Sequence, residues 1–341
     1  SMNMQQAIAA VTDRQDLSQA QMQAVMNLIM TGEATQAQVG GFLVGLRMKG
    51  ETVDEITGAV VAMRALATGV TVKGDHVIDT CGTGGDSSGI FNVSTGAAFI
   101  ASAAGAKVAK HGNRSISSKS GSSDLLEAAG VDIMLKPKQV EQCITALGIG
   151  FMFAPAHHSA MKHAIGPRRE MAIRTLFNIL GPLTNPAGAQ HQVLGVYSRE
   201  WQQPMAQVLQ RLGSKHVMVV HSEDGLDEIS IAAPTHVVEL KNGEITEYTI
   251  NPADYNLAHS SLSALVVDDA EASLNLIKKA FAGEAGAPLD MLLLNAGAAI
   301  YCANLAIDLA TGIEQAKVAI SSGRAKQKFD DLIQLTQGLN A

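Results

Sequence analysis

The chain has 341 residues, enough for one large α/β unit with a smaller companion, and its 47% hydrophobic and 17% charged content is that of a well-cored protein. A net charge of −7 argues against non-specific binding to nucleic acid or an acidic membrane, while leaving room for a local anion pocket. The cysteines Cys81, Cys143 and Cys302 are widely separated with no metal-ligand spacing, which fits reduced thiols in the cytoplasm.

The N-terminus has no basic segment ahead of an apolar stretch, so no secretory signal is expected, and Ser1 before Met2 reads as a remnant of tag removal. The first 70 residues read as helices. Ser18 with Gln21, Thr35 with Gln38 and Thr52 with Glu55 each form a capping box: the first side chain accepts from a backbone N–H and the last reaches back. Val39, Phe42, Leu43 and Leu46 follow at helical spacing with Gly50 as the stop, and Ile56, Val60, Met63 and Leu66 repeat the pattern. Short helices cannot bury such faces alone, so these are expected to pack on one another and on later segments.

The character changes near Thr71. Residues 76–80 read as a strand, the glycine loop 82–86 follows, and a helix is expected over 93–104. Residues 107–110 read as a second strand, 122–129 and 138–147 as helices, and 149–153, 192–197 and 216–221 as further strands. A helix at about 200–212 separates the last two. This alternation predicts a mainly parallel sheet with ligands at the strand ends. Segments 237–240 and 244–250, joined through Asn242-Gly243, predict a β-hairpin. Two or three helices are expected to close the chain. The uncharged run 291–307 holds Asn295 and Asn304 and falls short of the ~20 residues of a membrane span, so it reads as a buried core helix.

Several segments carry chemistry. In the loop Gly82-Thr-Gly-Gly-Asp86 the glycines let backbone N–H groups approach an anion, although the same pattern serves an ordinary strand-to-helix turn. Asn92-Val-Ser-Thr95 opens a helix, where the segment by itself reads first as an N-cap, the alternative being that Asn92, Ser94 and Thr95 offer oxygens or amides to a phosphate or its metal. Lys110-His-Gly-Asn-Arg114 gathers two cations, an imidazole and an amide around one glycine, and a Ser/Gly-rich stretch follows that can wrap a polyanion. Asp227 and Glu228 are adjacent hard oxygen ligands of the kind Mg²⁺ takes. Arg168, read as the start of a helix after Gly166-Pro167, runs against the macrodipole preference and becomes a candidate for gripping a carboxylate. His157 and His158 have no partners at zinc-ligand spacing.

In combined order and spacing, GTGGD at 82–86, FNVST at 91–95, KHGNRSISSKSGSSD at 110–124, FAPAHH at 153–158, RREMAIRTLFNILGPLTNP at 168–186 and DGLDEIS at 224–230 closely resemble the anthranilate phosphoribosyltransferase family. GEATQAQVGGFLVGLRMKGET at 32–52 resembles its helical N-terminal region, and the resemblance runs from about residue 5 to the C-terminus. It implies an α/β fold of nucleoside phosphorylase/phosphoribosyltransferase type, with a small helical domain and a larger α/β domain around a mainly parallel central sheet. Residues 1–70 would form the helical domain, joined in space by helices near 158–185, and residues 71–157 and 186–341 the α/β domain, usually as a homodimer.

The resemblance also implies roles. Gly82, Gly85, Asp86, Asn92, Val93, Ser94, Thr95, Lys110, His111, Gly112, Asn113, Arg114, Ser115, Ile116, Ser117, Ser118 and Ser122 match positions that hold phosphoribosyl pyrophosphate. Ser94, Asp227 and Glu228 match Mg²⁺ ligands; Gly82, Asn113, His158 and Arg168 match positions at the anthranilate site or on the path to it. Ile90 stands where many members have Thr, Ala172 where Gly is frequent and Ser159 where Pro is common; none removes a role-bearing group.

The reaction so implied moves a phosphoribosyl group onto the amine of anthranilate and releases pyrophosphate. Charge on the leaving group would be met by Mg²⁺, Lys110 and the loop amides, with Arg168 and Asn113 positioning the acceptor. The aryl amine is largely neutral at pH 7, so no general acid or base is assigned. A pyrimidine nucleoside phosphorylase would be expected to carry a Lys-His-Ser-Thr-Gly-Gly loop, which the chain lacks. A non-catalytic nucleic-acid-binding relative would want a basic groove, against the charge of −7.

Overall fold

Four helices come first, α1 (Met4–Thr12), α2 (Gln19–Met30), α3 (Gln36–Lys49) and α4 (Val53–Leu66), in a computed structural model that describes residues 1–84, 89–114 and 121–339. The three expected capping boxes form, and Asn3 with Gln6 builds another at the start of α1. Glu55 does more than cap α4. Its buried carboxylate also accepts from the Leu17 amide at 2.9 Å and from Lys49 Nζ at 2.7 Å, tying three segments of the bundle together.

The alternating segments follow as β1 (Val77–Gly82), α5 (Val93–Ala103), β2 (Lys107–Gly112), α6 (Ser122–Ala129), α7 (Pro137–Leu147) and β3 (Ile149–Phe153). The chain then returns to the helices through α8 (Ala154–His157), α9 (Lys162–Met171) and α10 (Phe177–Leu180). It re-enters the sheet with β4 (His191–Gly195), α11 (Gln202–Arg211), β5 (His216–Ser222), β6 (Thr235–Lys241) and β7 (Glu244–Ile250). The seven strands lie in the order β3-β2-β1-β4-β5-β6-β7. The pairings from β3 through β5 are parallel, and the expected hairpin adds β6 and β7 antiparallel.

Strand β1 feeds outward to β2 and β3, and the chain then comes back to place β4 on the other side of β1. The β1/β4 boundary is therefore the topological switch point, where the connections diverge and leave a crevice at the carboxyl ends of the strands. Side chains alternate across the sheet with the period of two that a strand dictates. Met218 and Val220 of β5 face the core shared with α5 and the C-terminal helices, whereas Val217 and Val219 face α11 and the core of the N-terminal helices.

Four helices close the described chain instead of two or three: α12 (Ala270–Phe281), α13 (Ala287–Cys302), α14 (Leu309–Ser321) and α15 (Arg324–Leu339). Backbone breaks at positive φ divide them, Gly283 and Gly286 before α13, Asn304 after it and Gly323 before α15. As expected for the uncharged run, α13 is buried along most of its length. No helix among the described residues is long and apolar enough to cross a membrane.

One expected boundary moves. Helix α9 starts at Lys162 and runs through Pro167, so Arg168 lies in its last turn. Proline removes the N–H that would bond the carbonyl four residues back. That carbonyl belongs to His163, and Gln36 Nε2 of α3 donates to it instead at 3.4 Å. The contact between α3 and α9 thus supports a helix that proline would otherwise interrupt, and in the last turn the cation of Arg168 agrees with the helix dipole.

Candidate active site

The crevice at the switch point is built from the ends of β1, β2 and β4. Gly82 of β1 pairs with Gly195 of β4, and both are glycine because the 227–228 segment lies against them. A Cβ at Gly82 would collide with the Asp227 carboxylate, and one at Gly195 with the Asp227 carbonyl. The loop after β1 is held by Thr83 N–H to Gly195 O at 2.9 Å and by Gly84 N–H to Asp227 Oδ2 at 3.0 Å. These two loop amides are therefore bonded to protein acceptors, which departs from the open amide nest read from the sequence.

Lys110 is 4% exposed at the end of β2, and its ammonium donates to the Thr80 carbonyl and, at 3.1 Å, to Ser94 Oγ. Ser94 belongs to the first turn of α5, whose carbonyl accepts from Thr80 Oγ1 at 2.8 Å. Asn92 occupies the N-cap position, but its side chain does not cap the helix; Oδ1 accepts from the Thr95 hydroxyl at 2.9 Å. Val93 is turned into the apolar core. Ser94, Asp227 and Glu228 line one small cavity together with Thr80 and Asn295, so the three positions expected to bind metal come together although more than 130 residues separate Ser94 from the carboxylates.

Beneath Lys110 lies a carboxylate that the sequence reading passed over. Asp79 is fully buried and accepts from Asn185 Nδ2 at 2.8 Å and from the His111 amide at 3.3 Å. Burial raises its pKa, with Lys110 and Asn185 opposing the rise. The signal in the sequence was an acidic residue in the middle of a short strand, directly after Val77 and Ile78. Its partner in the TNP turn, Asn185, also donates to the Ala109 carbonyl at 2.9 Å, bracing β1 against β2.

The histidines form a second group. His111 and His158 have ring centroids 5.1 Å apart. His158 Nε2 meets the Thr184 carbonyl at 3.0 Å, while His111 Nε2 is buried with no hydrogen-bond partner. Burial first, and then the neighbouring His158 and His157, push His111 down to about 3; burial pushes His158 down to about 4. Both rings are therefore neutral at pH 7.

Other expected residues are more dispersed. Gly112 approaches α6 so closely that a Cβ there would strike Ser122 Oγ. Arg114 pairs with Glu127 and lies over the Phe153 ring, 5.4 Å from its centroid, and Asn113 Oδ1 accepts from the Arg114 amide at 2.8 Å. Arg168 is partly buried over the Phe177 ring, 5.5 Å from its centroid, and burial lowers its pKa. No hydrogen bond, ion pair or ring contact among the described residues joins Arg168 to Asn113 or His158. Gly85, Asp86, Ser115, Ile116, Ser117 and Ser118 lie outside the described residues.

Two family descriptions match the chain: the a/b domain of a glycosyl transferase family over residues 74–326 and the helical bundle domain of a glycosyl transferase family over residues 5–67. The chain is 62% identical to the anthranilate phosphoribosyltransferase of Thioalkalivibrio sulfidiphilus, with 98% of this chain and 99% of the relative covered. It is 57% identical to that of Ectopseudomonas mendocina, with coverage of 98% and 97%. Among solved structures, the anthranilate phosphoribosyltransferase of Thermus thermophilus superposes with a TM-score of 0.92 at 40% identity, covering 97% of this chain and 99% of that one. The Saccharomyces cerevisiae enzyme, solved in complex with phosphoribosyl pyrophosphate and Mg, gives 0.89 at 25% identity and covers 98% of each chain.

Proposed function

The chain belongs to the anthranilate phosphoribosyltransferase family, and from that premise we infer how its own residues serve the reaction. The reaction is transfer of the phosphoribosyl group of 5-phosphoribosyl 1-pyrophosphate to the amine of anthranilate, giving N-(5-phosphoribosyl)anthranilate and pyrophosphate in tryptophan biosynthesis. The observation that carries the site assignment is the convergence of Ser94, Asp227 and Glu228 on one cavity at the switch point, with Lys110 bonded to Ser94.

Two carboxylates and a hydroxyl are hard oxygen donors that fit Mg²⁺, and they leave positions for water and for the donor's phosphates. Ser94, Asp227 and Glu228 would hold the ion, which would supply charge neutralisation for the donor's pyrophosphate. Lys110 adds a positive charge held in place by Thr80 and Ser94, so it needs no reorganisation when charge develops on the leaving group. The segments 82–86, 92–95 and 110–118, with Ser122, cradle the phosphoribosyl donor. Arg168, Asn113 and His158, with Gly82 between the two substrates, receive anthranilate. Arg168, in the last turn of α9, offers the planar fork that suits a carboxylate. No residue is assigned as a general acid or base, and burial keeps the His158 ring on the acceptor path neutral.

The same reading treats residues 1–70 with the helices near 158–185 as one helical domain and 71–157 with 186–341 as the α/β domain. It also takes the chain to act in the cytoplasm as a homodimer on small-molecule substrates, with no part for nucleic acid or membrane. Anthranilate fluorescence tests the function directly. Its loss should require enzyme, Mg²⁺ and phosphoribosyl pyrophosphate together; loss without the donor, or none with it, would overturn the reading.

A further inference from the structure

We propose that Asn295 is a positioning residue for the metal site, and that α13 is the common template that registers Ser94 against Asp227 and Glu228. Asn295 is 5% exposed, a buried amide in a helix otherwise lined with Leu, Ala, Gly and Ile, and burying an amide there is costly unless its groups are paired. They are paired. Oδ1 accepts from the Ile229 amide at 3.0 Å, and Nδ2 donates to the Ile229 carbonyl and the Met291 carbonyl, each at 2.9 Å. The side chain therefore binds the backbone of Ile229 on both sides, one residue after Glu228. On the other flank, Leu226 exchanges bonds with Ser222, whose amide donates to Leu226 O at 3.0 Å and whose Oγ accepts from Leu226 N at 2.9 Å. The two carboxylates span a short segment pinned at both ends.

The same helix also packs on α5, and Asn295 lines the cavity that Ser94 lines. Leu292 and Asn295 are three residues apart and share a face. Leu292 packs where Gly96 of α5, two residues after Ser94, presents no side chain, and a Cβ at Gly96 would come within 2.7 Å of Leu292. On its far side α13 is fixed against α14, where Gly297 and Gly312 let the backbones approach so closely that a Cβ on either would collide with the other helix. One rigid helix thus fixes α5, which carries Ser94, through Gly96 and the segment of the carboxylates through Asn295.

This inference rests on the assignment of Ser94, Asp227 and Glu228 to Mg²⁺. The test is Mn²⁺ binding in the presence of pyrophosphate, followed by electron paramagnetic resonance, on the parent enzyme, Asp227→Asn/Glu228→Gln and Asn295→Leu, with thermal unfolding recorded for each. Leucine keeps the volume and suits the apolar helix, but leaves Ile229 unpinned. The expected result is a folded Asn295→Leu enzyme that binds Mn²⁺ about tenfold more weakly, with the KM for anthranilate at saturating Mg²⁺ unchanged. A folded variant with unchanged Mn²⁺ affinity overturns the positioning role. If Asn295→Leu does not fold, Asn295→Gln, which displaces the amide by one methylene, gives the same reading. If the double carboxylate variant binds Mn²⁺ as the parent does, the metal assignment itself fails; if it loses binding while Asn295→Leu retains it, only the positioning inference fails.

Discussion

The backbone N–H of Gly84 donates to Oδ2 of Asp227 at 3.0 Å, so an amide of the glycine loop and a carboxylate of the candidate metal site satisfy each other across the switch point. Asp227→Asn separates the two uses of this side chain, since asparagine still offers Gly84 an oxygen but carries no charge for a cation. Folding stability should change by less than about 1 kcal/mol, whereas turnover should fall on the order of 10²-fold. Chemical denaturation and the fluorescence assay measure the two effects. Turnover within about twofold of the parent would remove Asp227 from the site.

Lys110 makes a different prediction because it holds structure and charge together. Lys110→Met keeps most of the buried stem but leaves the Thr80 carbonyl without its ammonium partner. An unsatisfied buried acceptor costs about 1–3 kcal/mol, so the variant should unfold at lower denaturant concentration. It should also lose turnover. Recovery of stability by a second substitution elsewhere should not restore turnover if the charge acts on the leaving group.

Arg168→Ala should raise the KM for anthranilate while leaving that for the phosphoribosyl donor near its parent value. The guanidinium lies over Phe177 and has no carboxylate partner among the described residues, so its removal breaks no ion pair within the fold. An unchanged anthranilate KM in steady-state kinetics would make Arg168 a packing residue of α9.

The buried histidines link stability to pH. His111 is held down to about 3 and His158 to about 4, against an ordinary value of 6.5, because burial disfavours the imidazolium. In the unfolded chain both rings bind protons as pH falls through about 6.5, while the folded rings stay neutral to about 4. The unfolded state then binds more protons, so the stability these groups contribute is fully present above 6.5 and is lost progressively down to their folded values. Unfolding free energies measured across this interval should fall with decreasing pH. His111→Phe should flatten the slope, since it removes a group that binds a proton in the unfolded chain but not in the folded one, at the loss of the ring's bond to the Gly181 backbone; an unaltered slope would show that His111 titrates alike in both states.

Local chemistry made much of this protein legible. The three boxes beginning at Ser18, Thr35 and Thr52 rest on residues three apart, and each formed. The hairpin around Asn242-Gly243 formed because positive φ at both positions is what a two-residue turn needs. The glycine loop after β1 and the Lys110 turn were likewise legible as segments at strand ends, but the Thr83 and Gly84 amides bond to Gly195 and Asp227 in place of an open nest. Resemblance, and not spacing, supplied anthranilate as the acceptor.

What the sequence determined by itself was whatever depends on neighbours within a turn or two: periodicity, caps, hairpin and glycine loops. The tertiary structure decided the rest, because the deciding partners are distant in the chain. Gln36 supports α9 through Pro167 and moves Arg168 from a helix start to a helix end. Asn185 meets Asp79 from 106 residues away, and Asn295 pins Ile229 from 66. A buried amide or carboxylate must find a hydrogen-bond partner, and which one it finds is set by how the chain crosses the sheet.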